Sequence, residues 1–136
     1  TKTLTEEEVN WFMFELNNFV SKKASQDKKW NSINGKTFSL RIEDVGIITT
    51  IQFGSNEKLH NNINTPPNKE CIINTSSMFL SILNGELLFE SLYTGYLGKW
   101  KRYPNDIYNQ DVITMIVMFS YFYRNVLVKD YIKKFV

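Results

Sequence analysis

A chain of 136 residues, 43% apolar and 22% charged, is long enough to bury a core as one domain over residues 1–136 without metal or disulfide staples. A net charge of +2 is too small to call for nucleic acid, so no nucleic-acid partner is expected. The single cysteine, Cys71, excludes an intrachain disulfide and, within "CII", reads as a buried and inert thiol.

No basic and apolar signal pattern opens "TKTLTEEEVNWF", and the longest unbroken apolar stretch, "MIVMF" at 115–119, is far shorter than a membrane span. A cytoplasmic protein is expected. "TEEEVNWFMFELNNFVSKK" then begins with Thr5 and Glu8 three residues apart, the spacing of a capping box. Val9, Phe12, Met13, Leu16, Phe19 and Val20 follow on one helical stripe. The acidic first turn and Lys22–Lys23 complement the helix dipole. "KKASQDKKWNSINGK" is expected to be a polar connector, turning at Asn34-Gly35.

"KTFSLRIE" alternates Phe38, Leu40 and Ile42 with polar residues, which predicts a strand with one wet face. "VGIITTIQF" places Val45, Ile47, Thr49, Ile51 and Phe53 on one side of a second strand, joined to the first as an antiparallel hairpin across "ED". The polar segment from Gly54 to Lys69 carries Pro66-Pro67 and is expected to be a mobile loop. "CIIN" reads as a short buried strand.

Thr75 is expected to cap a short helix with Met78, Phe79, Ile82 and Leu83 on one face, stopped by Asn84-Gly85. "ELLFESLYT" predicts a second short helix, and "YLGKWKRY" a strand. From Asp106 onward the chain predicts one long helix or a broken pair, apolar almost all round between Val112 and Tyr123. The whole is α+β.

That order, and above all "CIINTSSMFLSILNGELLFESLYTGYLGKW", resembles the sterol carrier protein-2 family. The likeness is carried by residues 72–74, 76–83, Gly85, 88–93, Gly95 and 96–103. The chain departs from the family pattern at Pro104, Asn105 and Asp106, where a glycine and an acidic residue are usual, and at the Glu43-Asp44 turn. The resemblance implies a mostly antiparallel five-stranded sheet covered by helices. It further implies an apolar tunnel that takes fatty acids, acyl-CoA or sterol-like lipids.

A pocket for such a ligand needs a concave dry wall and few polar atoms. Phe79, Leu83, Leu88, Leu92, Trp100, Met115, Phe119 and Phe122 are the candidate lipid-binding residues; the same helical spacing equally marks plain core. "GKWKRY" joins Lys99, Lys101 and Arg102 to Trp100 and Tyr103, either a transient membrane contact or a strand with one wet face. His60, the sole histidine, has no second ligand nearby, so no metal, cofactor or catalytic group is nominated. The expected function is non-enzymatic binding or transfer of an apolar lipid. The alternative is a homodimeric interaction module built on the apolar C-terminal helix.

Overall fold

A computed structural model describes residues 3–55, 71–92, 98–102 and 110–136, excepting the side chains of 71–74, 99–102 and 110–112. The expectations for the 54–69 loop beyond Ser55, for His60, for Pro104–Asp106 and for the side chains of Cys71, Trp100 and the "GKWKRY" basic residues lie outside it.

Helix α1 spans Glu6–Gln26. The Thr5 hydroxyl oxygen accepts the Glu8 backbone N–H (3.2 Å), and Glu8 Oε1 accepts the Thr5 N–H (3.2 Å), which completes the capping box. Of its stripe, Val9, Phe12, Met13, Leu16 and Val20 are buried as expected, while Phe19 is half-buried against the core. The connector after it is more ordered than its polarity suggests. Lys28–Ile33 forms a 3₁₀ turn capped by Asp27, because Ile33 is drawn wholly into the core.

Strands β1 (Thr37–Ile42), β2 (Ile47–Gln52), β3 (Cys71–Thr75) and β4 (Gly98–Arg102) form one sheet in the order β2-β1-β3-β4. β1 pairs antiparallel with β2, in a register that sets Phe38 opposite Ile51 and Leu40 opposite Thr49. It pairs parallel with β3, which is itself antiparallel to β4.

The sheet therefore corrects the five-stranded, sterol carrier-like expectation to four strands among the described residues. The physical reason is visible in the chain: only four segments carry a strand pattern, and the fifth came from the resemblance alone. The broad α+β class holds.

β1 also lacks the wet face predicted for it. Phe38, Leu40 and Ile42 are buried on one side, and Ser39 is buried on the other, its hydroxyl 2.7 Å from that of Thr50. A strand with partners on both edges is the natural place for this double cover. In β2, by contrast, every residue is half-buried, and only Phe53 beyond its end enters the core; Val45 is exposed. Asn17 binds this end to α1, its amide donating to the Ser55 carbonyl (2.9 Å) and its Oδ1 accepting the Gly54 N–H (3.1 Å).

The hairpin turn is pinned from the other side. Asp44 accepts the Ser77 N–H (2.8 Å) and the Ser77 hydroxyl (2.5 Å), and these bonds, the hydroxyl foremost, hold its carboxyl below the usual carboxylate range. A carboxyl that ionises more readily folded than unfolded adds stability above its unfolded value, and that stability fades as pH falls through the folded value. Asp44→Asn is therefore expected to flatten the acid limb of stability against pH. Urea unfolding followed down the acid range checks this, and an unaltered limb would contradict it.

Helix α2 spans Phe79–Leu83, followed by a 3₁₀ turn at Phe89–Leu92. Two expectations are corrected here. Thr75 is the last residue of β3 and not the cap; Met78 takes that position with no side-chain hydrogen bond and stands exposed. Of the second short helix, the described residues show a tight 3₁₀ turn over Phe89–Leu92.

That C-terminal helix is broken in an unexpected manner. α3 (Gln110–Phe122) passes into a π turn (Tyr123–Leu127) and then α4 (Val128–Phe135) without leaving the helical axis. No described helix is long and apolar enough to cross a membrane.

Candidate functional site

The interior lies between the sheet face carrying Phe38, Leu40 and Ile42 and the helical elements. Phe119 of α3 occupies its centre. Its ring stands 4.8 Å from Phe38, 6.1 Å from Phe53 and 6.0 Å from Phe89, contacts that join the open end of the β1–β2 hairpin to the second short turn. Phe12 of α1 meets Phe79 at 4.9 Å and Phe122 at 5.9 Å, which couples α1, α2 and α3. Most of these pairs are edge-on or tilted, the arrangement favoured by the ring quadrupoles.

Of the candidate lipid-binding residues, Phe79, Leu83, Leu92, Met115, Phe119 and Phe122 are brought together in this one buried cluster. Leu88 is placed apart, 63% exposed, because the tight turn directs Phe89 and Leu92 inward in its stead. Trp100 lies on β4, with its side chain outside the described residues.

In this structure the rings touch one another. One boundary of this cluster is the seam between the C-terminal helix and the segment from α2 to Leu92. Tyr123, the first residue of the π turn, donates its hydroxyl to the Leu87 carbonyl at 3.0 Å. Burial, and then the nearby charge of Glu90, raise the Tyr123 phenol above its ordinary value, so the donor stays protonated. One turn further on, Val128 packs over Gly85.

Gly85 is the position where glycine matters. Its φ is +83°, and a Cβ there would lie 3.0 Å from Val128 Cγ1. Gly85→Ala is expected to destabilise by about 1 kcal/mol or more, since both the backbone region and the contact oppose it. Thermal unfolding of the variant checks this, and a midpoint equal to that of the parent would contradict it.

Two features of the seam have no visible mark in the sequence. Tyr123 sits in a run apolar enough to hide a phenol with one specific partner, and Leu87 meets it with a backbone carbonyl, which any residue carries. A further anchor of the C-terminal helix lies outside the seam, where the Tyr131 hydroxyl donates to Oε2 of Glu8 on α1, itself 1% exposed. The capping role of Glu8 is legible from its spacing to Thr5; its second duty across 123 residues is not.

π turns recur at functional sites because the extra residue re-aims whatever follows. In a straight α-helix, at about 100° per residue, Tyr131 would stand roughly 80° round the axis from Tyr123. The wider turn takes up most of that offset, so both phenols, and Leu127 between them, face the interior. Comparison with protein-family models, curated proteins and solved structures gives no match.

Proposed function

We propose that this protein binds an apolar or amphiphilic lipid, such as a fatty acid, acyl-CoA or sterol-like molecule, between its sheet and helices without catalysing a reaction. The observation that supports it is convergence: six of the apolar side chains nominated by the sequence come from three separate elements and share one dry interior. Entry follows the seam described above, by movement of α3–α4 away from Gly85 and Leu87. Burial of ligand at about 25 cal/mol for each Å² of apolar surface offsets the loss of ring contacts. A cytoplasmic place of action belongs to the same proposal and draws on the lone Cys71.

Extraction of purified protein followed by mass spectrometry, with titration of a fluorescent fatty acid, tests it. Copurified lipid and saturable uptake are expected. Failure of both refutes the proposal.

The alternative, a homodimeric module, has one specific observation in its favour. Ile113, Val117 and Tyr121 stand exposed at i, i+4 and i+8 on α3. Light scattering separates the two: an obligate dimer that takes up no lipid supports the module.

A further inference from the structure

The outer face of the C-terminal helix continues well past those three residues. At about 100° per residue, and somewhat less through the π turn, Arg124, Lys129, Ile132 and Lys133 fall in line with Ile113, Val117 and Tyr121 on roughly a third of the circumference. All are exposed: Ile113 and Val117 at 38%, Tyr121 at 46% and Ile132 at 43%. One end of the face is apolar, and the other is basic with Ile132 set among the lysines.

Its acidic neighbour is turned away. Asp130 is half-buried on the flank toward α1, where it faces Glu15, and Lys134 lies on the same side. Partial burial and then the charge of Asp130 hold the Glu15 carboxyl above the usual range, with Lys134 opposing them. Among the described residues no acidic side chain of this helix stands on the outer face.

The occupant follows from charge. A two-fold contact between copies would set the apolar end against the basic end, or like charges against each other, with no acidic partner for Arg124, Lys129 or Lys133. A surface that is itself anionic and accepts apolar side chains at shallow depth meets both halves at once. We propose that this face docks on the anionic headgroup surface of a phospholipid bilayer, with Arg124, Lys129 and Lys133 over the lipid phosphates and Val117, Tyr121 and Ile132 at the headgroup boundary. This goes beyond ligand binding in the interior and holds whether or not the interior takes a guest.

Co-sedimentation of the full chain with vesicles tests it, comparing pure phosphatidylcholine with equal parts of phosphatidylcholine and phosphatidylserine. Binding is expected to the mixed vesicles, weakened by salt, with little to the neutral ones. Each charge removed is expected to weaken it about fivefold, so Arg124→Gln/Lys129→Gln/Lys133→Gln together lose on the order of a hundredfold. The three positions are exposed, and circular dichroism verifies the fold of the variant. Val117→Asp is expected to weaken binding with the basic residues intact. Equal binding to both vesicle types, no binding to either, or a triple variant that binds like the parent overturns the proposal. So does a concentration-dependent dimer that Val117→Asp dissociates.

Discussion

Phe119→Ala is expected to lower the free energy of unfolding by about 3–5 kcal/mol, the range for removing a buried aromatic ring. The ring is wholly buried and touches Phe38, Phe53 and Phe89, so no single neighbour can swing in to fill the space. Leu and Met substitutions keep more of the volume and are expected to cost less. Urea unfolding measures the series. A loss under about 1 kcal/mol for alanine would mean that the interior collapses freely and is far softer than a close-packed core.

The same variant bears on function. An interior that admits lipid is expected to admit it more readily once the central ring is gone, so added fatty acid should raise the unfolding midpoint of Phe119→Ala more than that of the parent.

Glu8→Ala is expected to cost about 2–4 kcal/mol, since it removes a capping box and strands a buried phenol at once. Glu8 takes the Thr5 N–H and the Thr5 hydroxyl on Oε1 and the Tyr131 hydroxyl on Oε2. Tyr131→Phe is expected to cost about 1 kcal/mol, the net scale of one intramolecular hydrogen bond, and it leaves the ring contacts with Trp11 and Phe135 in place. The double variant should cost less than the sum, because the second change removes a partner already lost. Additive losses would show that the two side chains act separately. The pair matters beyond its energy: it clamps the start of α1 to α4 and so sets how α4 leaves the π turn.

Much of this was legible in the chain before any coordinates. Thr5 and Glu8 announce the start of α1, the alternation of Phe38, Leu40 and Ile42 announces β1, and Asn84-Gly85 stops α2, with Gly85 at positive φ as such a stop requires. These are local signals, decided within a few residues by capping, side-chain alternation and backbone sterics. Six of the candidate lipid residues were likewise legible as apolar, and they are buried together. Leu88 was not separable from Leu92 by composition; the tight turn exposes one and buries the other. The fifth strand came from likeness to a family, with no segment of this chain behind it.

What the sequence alone determined is the place of α1, the four strands and α2, and the apolar character of the faces that α1, β1 and α2 turn inward, because these depend on spacing along the chain. What only the tertiary structure decided is the direction in which the C-terminal helix looks. No proline or glycine marks the π turn; it is held by partners far away in the chain, Leu87 on Tyr123 and Glu8 on Tyr131. That one wider turn rotates everything after it, so the same residues that bury Tyr131 also align Lys129 and Lys133 with Val117 and Tyr121 on the outside. Rotation about a helix axis is set by long-range contacts, and local spacing carries no record of them.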